Sequence, residues 1–368
     1  MTAKTYALKS SAIGREGRRS PAPALASPLS GNPLAGRDLC SLRDLSPSDV
    51  RLILNTAHEI KAQPQDYLHA LDARQLVMFF EKDSLRTRLT FEAGINTLGG
   101  SAIFIDQTAS RLGARETLAD VAHNLERWVD VIVLRTYAHE TITGMADFAN
   151  VPVVNALSDI EHPCQALTDI FTLEEHFGDL RGLQIAYIGD GNNVAHSLLL
   201  AAVLMGAHIT FASPEGYGPK TEFLTTAQAA AAISGSKVRC VEDPREAVHD
   251  ADAIYTDAWT SMGQEHETAT RQAVFQPYQV DSRLMTMAAA HAVFMHCLPA
   301  HRGEEVTDEV IDSAQSIVFD QAENRLHVQK AILLLLLDAA QLQSGDGKLD
   351  DIRGLNGRVR KPSSLPKY

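Results

Sequence analysis

The chain has 368 residues, 45% of them apolar and 21% charged, which indicates a soluble globular protein long enough for two domains. The net charge of -13 argues against a general nucleic-acid-binding protein. The apolar runs are too short to span a membrane, so a membrane protein is not expected either. Four widely spaced cysteines, Cys40, Cys164, Cys240 and Cys297, form no C-x-x-C pair, which favours reduced thiols over a disulfide framework.

The two ends of the chain differ from the rest. Residues 1–35 contain five basic residues against one acid, Glu16, together with many Ala, Ser and Pro. We predict a disordered extension, which places the protein in the cytoplasm. A transit peptide, which would place it in the mitochondrial matrix, is the alternative. Residues 345–368 are predicted to form a flexible tail.

Between these ends, short apolar strands alternate with helical patterns, which is typical of parallel sheets covered on both faces. The first set of predicted strands comprises Gln75–Phe80, Ser101–Asp106, Val131–Thr136 and Val151–Ala156. Predicted helices include Glu116–Val129 and His162–Gly178. The second set of predicted strands comprises Leu183–Asp190, His208–Ser213, Lys237–Asp243, Ala253–Trp259, Ala292–Leu298 and Ser316–Asp320.

This order predicts an α/β fold with two doubly wound parallel-sheet domains and a ligand cleft between them. We place the first domain at residues 36–165 and the second at residues 166–322. A helix beginning at Glu323 is expected to pack on the first domain and to extend to about residue 344. The run Ala331–Ala340 within it is broken by Asp338 and is interpreted as a buried helix.

One stretch places two arginines and two hydroxyls at the start of a helix, in the order Ser84-Leu85-Arg86-Thr87-Arg88. A helix start already carries partial positive charge and unpaired N–H groups, so arginine suits the other end better. An anion, most simply a phosphate, would explain this arrangement. The alternative is that Arg86 and Arg88 pair with surface carboxylates.

Other polar clusters follow predicted strands, where such a fold places its site. They are Arg135, His162 with Gln165, the Gly189–Asn193 turn, the Asp257–Gly263 loop, the His296–Pro299 turn, and Arg325 at the start of the last helix. Each has a structural alternative. Arg135 could serve folding, His162 could cap a helix, Cys297 could be an inert buried thiol, and Met262 could be packing.

Taken in order, S-x-R-T-R, H-P-C-Q, G-D-G-N-N, D-x-W-x-S-M-G-Q-E, H-C-L-P and A-E-N-R resemble the ornithine carbamoyltransferases over roughly Leu39 to Leu342. The resemblance implies transfer of the carbamoyl group of carbamoyl phosphate to the side-chain amine of L-ornithine, in arginine biosynthesis. It implies that the first domain binds carbamoyl phosphate and the second binds ornithine. It implies neither a cofactor nor a metal, no nucleic-acid or membrane partner, and a homotrimer whose sites are shared between subunits.

The resemblance also implies roles for individual residues. The expected carbamoyl phosphate ligands are Ser84, Leu85, Arg86, Thr87, Arg111, Arg135, His162, Gln165, Cys297, Leu298 and Arg325. The expected ornithine ligands are Asn193, Asp257, Ser261 and Met262. The residues expected to act in catalysis are Arg135, His162, Asp257 and Cys297, with Cys297 steering the amine rather than acting as a covalent nucleophile.

The chain departs from the family pattern at three positions. Leu85 replaces a hydroxyl residue, Asp83 places a carboxylate near a phosphate site unless it caps the helix, and Arg111 replaces the usual Gln. Leu at the position of Leu85 also occurs in relatives that use N-acylated ornithine. Those relatives lack the Ser-Met-Gly loop, so Ser261-Met262-Gly263 favours free ornithine.

Three other interpretations remain open from the sequence. The Gly189–Asn193 turn followed by Val-Ala mimics a dinucleotide fingerprint of a nicotinamide-dependent oxidoreductase, although the third glycine is missing. A non-catalytic relative with a binding role is the second. An adventitious zinc site formed by His296, Cys297 and His301 is the third.

Overall fold

The computed structural model describes residues 31–107, 112–260 and 265–338, which form two parallel β-sheets covered by helices. The first sheet contains β1 (Gln75–Phe80), β2 (Ser101–Asp106), β3 (Val131–Arg135) and β4 (Val153–Leu157) in the order β2-β1-β3-β4. The second contains β5 (Gln184–Ile188), β6 (His208–Ala212), β7 (Val238–Val241), β8 (Ala253–Thr256) and β9 (Val293–His296) in the order β7-β6-β5-β8-β9. All pairings between these strands are parallel, which confirms the predicted fold class.

The helices connect these strands and cover both sheets. They are α1 (Pro47–Ala62), α2 (Leu85–Thr97), α3 (Leu118–Leu125), α4 (His139–Phe148), α5 (Pro163–Phe177), α6 (Asn193–Leu204), α7 (Thr221–Ser234), α8 (Pro244–Val248), α9 (Thr268–Phe275), α10 (Ser282–Met285), α11 (Asp308–Ile311) and α12 (Val318–Leu336).

The strands are apolar because helices bury them on both faces. In β1 every side chain from Leu76 to Phe80 is buried. The edge strand β2 is only partly covered, and Ile103 on it is 46% exposed. Central strands of a parallel sheet have no solvent face, so they read as continuous apolar runs rather than alternating ones.

Local sequence determines where helices α1 and α2 begin. At α1, Ser46 and Asp49 form a reciprocal capping box with Pro47 at the first helical position. At α2, the Ser84 hydroxyl caps the helix by accepting the Thr87 N–H at 3.3 Å. Such a cap stabilises a helix by about 1 kcal/mol.

Two predictions at the carboxyl end are wrong. Residues 316–320 do not form a tenth strand: Ser316 makes a single bridge to Phe294, and α12 already begins at Val318. The last helix therefore begins at Val318 rather than Glu323. Arg325 lies well inside this helix and does not open it.

Helix α12 joins the two sheets. It packs against α1 and α2 on the side of the first sheet, and it contacts α5 and β9. Its apolar end from Ala331 to Leu336 is buried, as predicted. Among the described residues no helix is both long and apolar enough to cross a bilayer.

Candidate active site

The carboxyl ends of strands from both sheets border one cavity of about 960 Å³. Loops after β1, β3 and β4 approach it from the first sheet, and loops after β5, β8 and β9 approach it from the second. The residues predicted from sequence that line it are Ser84, Leu85, Arg86, Thr87, Arg135, His162, Gln165, Asn193, Asp257, Cys297, Leu298 and Arg325. Two doubly wound sheets thus bring together side chains that are far apart in sequence.

The start of α2 forms one end of this cavity. Thr87 donates its backbone N–H to Ser84, whereas no hydrogen bond between described residues uses the N–H groups of Leu85 or Arg86. Leu85 is 70% exposed, so its side chain leaves these N–H groups accessible. Free N–H groups at a helix start favour an anion, as the sequence predicts.

Arg86 and Arg88, the two arginines near the start of α2, differ in their contacts. The Arg88 guanidinium lies 3.9 Å from the centroid of the Phe104 ring and 3.5 Å from the Glu92 carboxylate. Arg88 therefore has the structural role that the sequence left open. Arg86 forms no ion pair within residues 31–107, 112–260 and 265–338, and it lines the cavity. Asp83 does not cap α2, because Ser84 does.

Buried cations converge next to this helix start. Arg135 and Arg325 are 5% and 4% exposed. Burial, and then the charge of Arg325, lower the pKa of Arg135 to about 9, although the nearby Asp83 opposes this change. Burial also lowers the pKa of Arg325, and Arg86 adds to that effect. Because guanidinium groups stay protonated in proteins, these shifts chiefly report the unfavourable energy of burying the cations, which a bound anion would offset.

His162 lies beside these cations as a neutral imidazole. It occupies the N-cap position of α5, but its side chain does not cap the helix. Burial, followed by the charges of Arg325 and Arg135, holds its pKa well below the ordinary value. Its Nδ1 atom is buried without a hydrogen-bond partner in the described part of the chain. The main chain at this residue is held in place, because the backbone N–H of His162 donates to the Ser197 hydroxyl at 2.8 Å.

Arg325 connects the helix start to α5. Its Nη2 atom donates to the Thr87 hydroxyl at 2.7 Å, and its Nη1 atom donates to the Gln165 Oε1 atom at 2.9 Å. Thr87 and Gln165 are almost fully buried. These contacts hold three of the predicted carbamoyl phosphate ligands in one rigid group.

An acid and a thiol line the cavity from the second sheet, at the ends of the neighbouring strands β8 and β9. The Cys297 thiol donates to Asp257 Oδ1 at 3.0 Å. Burial, and then the Asp257 charge, raise the pKa of Cys297 well above its ordinary value. The thiol therefore stays neutral, which disfavours Cys297 as a covalent nucleophile.

Sequence reasoning assigned no role to Asn192, which contacts Asp257. Asn192 caps α6 with its Oδ1 atom and donates its Nδ2 to Asp257 Oδ2 at 2.7 Å. Asn192 belongs to the G-D-G-N-N turn, but the family resemblance implies Asn193 as the ornithine ligand. The Asn193 Nδ2 atom donates to the Ser158 carbonyl at 2.6 Å, although its side chain does line the cavity.

Sequence reasoning also missed a pair of residues, which lines the same cavity. Arg271 on α9 donates to Asp190 Oδ2 at 2.9 Å and to the Trp259 carbonyl at 3.0 Å. Asp190 belongs to the G-D-G-N-N turn, but its partner is 81 residues away and follows no motif. Three predicted ligands, Arg111, Ser261 and Met262, lie outside the described residues.

The contacts of the glycine-rich turn argue against a dinucleotide site. A Cβ atom added at Gly191 would lie 2.2 Å from the Gly218 carbonyl carbon, so the main chain of residues 218–219 already covers this glycine. In a dinucleotide site the corresponding space is needed for the pyrophosphate.

The zinc alternative is similarly unfavourable. The His296 Nδ1 atom accepts the Leu298 N–H at 2.8 Å, and the Nε2 atom lies 3.1 Å from Glu305 Oε1. Both ring nitrogens are therefore engaged. Among the described residues, the ligand atoms of His296 and Cys297 group with Asp257, whereas the His301 ring groups with Glu304 and Glu305, so the three residues predicted to form one zinc site fall into two separate groups.

Comparisons with known proteins identify the family. Residues 37–175 match the family model "Aspartate/ornithine carbamoyltransferase, carbamoyl-P binding domain", and residues 181–336 match "Aspartate/ornithine carbamoyltransferase, Asp/Orn binding domain". The chain is 51% identical to the ornithine carbamoyltransferase of Bacillus subtilis over 305 residues, which cover 83% of this chain and 95% of that protein. It is 49% identical to the ornithine carbamoyltransferase of Pyrococcus horikoshii over 306 residues, which cover 83% of this chain and 96% of that protein.

Solved structures give the same result. The ornithine carbamoyltransferase from Pyrococcus furiosus superposes with a TM-score of 0.81 at 48% identity, covering 83% of this chain and 98% of that one. The anabolic ornithine carbamoyltransferase from Campylobacter jejuni superposes with a TM-score of 0.78 at 37% identity, covering 83% and 100%. By sequence, by fold and by the residues that line its cavity, the chain belongs to the aspartate/ornithine carbamoyltransferase family.

Proposed function

We propose that this protein transfers the carbamoyl group of carbamoyl phosphate to the side-chain amine of L-ornithine, giving L-citrulline and phosphate. One observation carries the proposal: a single cavity is lined from the first sheet and α12 by buried cations and a free helix start, and from the second sheet by an acid paired with a neutral thiol. The first set of groups, called the phosphate end, suits a phosphorylated carbonyl compound. The second set, called the amine end, suits an amine.

The start of α2 would bind the phosphate. The free N–H groups of Leu85 and Arg86 and the Arg86 guanidinium face the cavity there. The helix end contributes up to about 2 kcal/mol. Each hydrogen bond to the charged phosphate contributes roughly 1.5–3 kcal/mol, so we expect the Arg86 fork to outweigh the helix end.

Arg135, His162 and Thr87 would act on the carbamoyl carbonyl. As the amine attacks, negative charge develops on this oxygen, and donors already in place stabilise it without reorganisation. The neutral imidazole of His162 can donate one N–H to it. The new C–N bond forms as the bond from carbon to the phosphate oxygen breaks. The phosphate leaves with that electron pair and takes up the proton that the attacking nitrogen loses.

Asp257, Cys297, Asn193 and the loop containing Ser261 and Met262 would hold ornithine. Its side-chain amine titrates near ~10.4, so only roughly 0.1% is uncharged near neutral pH, a cost of about 4 kcal/mol. Asp257 lies where it can attract the ammonium group and orient it as the proton leaves. Leu298 follows Cys297 and would line the reacting centre.

We further propose the arrangement that the resemblance implies. Residues 36–165 bind carbamoyl phosphate, residues 166–322 bind ornithine, and the last helix supplies Arg325. The protein acts in the cytoplasm in arginine biosynthesis. It forms a homotrimer in which Arg111 completes the phosphate site of a neighbouring subunit.

A product assay tests the activity. Carbamoyl phosphate is supplied with ornithine, N-acetylornithine or putrescine, and the carbamoylated product is measured for each acceptor. We expect citrulline with ornithine and little product with the other two. Preference for N-acetylornithine would instead assign the chain to the N-acylated class, and no product with any acceptor would contradict the proposal.

A further inference from the structure

The side-chain amide of Gln165 lies between a guanidinium and a carboxylate. Its Oε1 atom accepts from Arg325 Nη1 at 2.9 Å, and its Nε2 atom donates to Asp169 Oδ1 at 2.8 Å. Gln165 and Asp169 are one turn apart on α5, and both are almost fully buried. Gln165 is also part of the cavity wall.

These two neighbours leave the amide only one orientation. A guanidinium has donors and no acceptor. Burial raises the pKa of Asp169 to about 7, but its Oδ1 atom already accepts from two amide nitrogens, so a proton on this carboxyl group would sit on Oδ2 and leave Oδ1 an acceptor. If the amide turned over, its nitrogen would face Arg325 and its oxygen would face Asp169, which would leave both pairs unmatched. A buried mismatch of this kind is strongly unfavourable. The assignment of the two amide atoms therefore follows from the chemistry of the neighbours.

Asp169 is itself fixed by a second amide. Gln321 on α12 donates its Nε2 atom to the same Asp169 Oδ1 atom at 2.7 Å. The Gln321 Oε1 atom accepts the His296 N–H at 3.0 Å, and its Nε2 atom also lies 3.2 Å from the Tyr255 hydroxyl. Donors from α5 and α12 thus converge on one carboxylate oxygen, which prevents that oxygen from turning away from Gln165.

The remaining acceptor capacity of the Gln165 oxygen determines what it can recognise. A carbonyl oxygen has two lone pairs, and Arg325 uses one of them. The other can accept a hydrogen bond from an N–H group next to it. A carbamoyl group has such an N–H, whereas an acetyl group has a methyl in the same place.

We propose that Asp169 is a positioning residue that makes Gln165 present its oxygen to the cavity, and so selects acyl phosphates whose acyl group carries an N–H donor. This role rests on the proposed function, since it assumes that the carbamoyl group lies next to Gln165. Asp169 itself does not touch the substrate.

Two hydrolytically stable probes isolate the effect. Phosphonoacetamide has an amide NH₂ where 2-oxopropylphosphonate has a methyl group, and both contain a phosphonate. The ratio of their dissociation constants, measured by calorimetry, reports recognition of the N–H group. We expect the unaltered protein to prefer phosphonoacetamide about tenfold, as one buried hydrogen bond implies.

Two substitutions remove the acceptor. In Asp169→Ala and in Asp169→Leu, which keeps more of the volume, Arg325 is the one remaining group of this pair that holds the Gln165 amide. We expect the preference to fall severalfold while the affinity for inorganic phosphate stays unchanged. Asp169→Asn keeps one acceptor oxygen held by the same two amide donors, so we expect it to restore most of the preference.

A matched control separates positioning from stability. Thr172 is buried three residues further along α5, and its hydroxyl donates to the Thr168 carbonyl. Thr172→Ala should lower the melting temperature without changing the ratio. A ratio near unity in the unaltered protein, or an unchanged ratio in a folded Asp169→Ala or Asp169→Leu, would overturn the role of Asp169. Citrulline formation by the unaltered protein tests the proposed function separately.

Discussion

The two ends of the cavity hold charge in opposite ways. At the phosphate end, Arg135 and Arg325 are buried close enough to lower the pKa of Arg135, and Arg86 acts on Arg325. At the amine end, Asp257 already accepts hydrogen bonds from Cys297 and Asn192. The first end holds buried cations at an energetic cost that a bound anion would offset, whereas the acid at the second end already accepts hydrogen bonds from the protein.

This difference indicates separate tasks. An unfavourable cluster of like charges gives an anion a large favourable binding energy and stabilises negative charge that develops later. A satisfied acid has less to gain from charge alone, so its contribution depends on geometry. Changes at the phosphate end should therefore affect both binding and the chemical step, and changes at the amine end should affect one substrate.

The largest effect is expected from Arg135→Gln. It removes a preorganised cation from the carbonyl oxygen, and we expect the turnover number to fall by about 10²–10³-fold. Arg88→Gln is the matched control, because Arg88 contacts Phe104 and Glu92 instead of facing the anion site. Steady-state citrulline formation measures both variants. Equal losses in the two would show that the predicted difference between the arginines is wrong.

Asp257→Asn should affect the amine end alone. It removes the charge that attracts the ornithine ammonium group, and we expect kcat/KM for ornithine to fall by roughly 10–100-fold, about one or two charge-assisted hydrogen bonds. Carbamoyl phosphate affinity, measured by calorimetry, should change little. The reverse pattern, with carbamoyl phosphate lost and ornithine retained, would invalidate the division of the cavity into two ends.

Arg86→Lys should have a smaller effect at the phosphate end. Lysine keeps the charge but cannot form the bidentate fork, so we expect carbamoyl phosphate to bind at least ~1.5 kcal/mol more weakly, about one charge-assisted hydrogen bond. Calorimetry on the variant measures this directly. Unchanged affinity would remove Arg86 from the phosphate site.

A mixing experiment tests whether the phosphate end is shared between subunits. Arg111→Ala and Cys297→Ala, each expected to be nearly inactive, are dissociated and reassembled in equal amounts. If each site takes these residues from different chains, about a quarter of the sites regain both, by the symmetry of a closed ring. Activity that stays at the level of the single variants after confirmed reassembly would exclude the shared site.

Sequence reasoning predicted the fold class because each strand carries its own local signal. The bounds of β1 and β2 were predicted correctly, β4 ended one residue later than predicted, and the other strands ended a residue or more earlier. The apolar run at residues 316–320 reads locally as a strand, yet Val318 begins α12, whose packing on α1, α2 and α5 outweighs the β-propensity of a short segment.

The sequence by itself therefore determined the two parallel sheets and the residue types at their strand ends, because both follow from local periodicity and motif order. Only the tertiary structure decided which polar atoms pair. Arg325 and Thr87 are 238 residues apart, and Gln165 and Asp169 meet Arg325 and Gln321 from α12 only after this helix packs across the first sheet. No sequence spacing encodes such contacts, since they depend on how whole elements pack. The orientation of the Gln165 amide is thus a property of the folded chain.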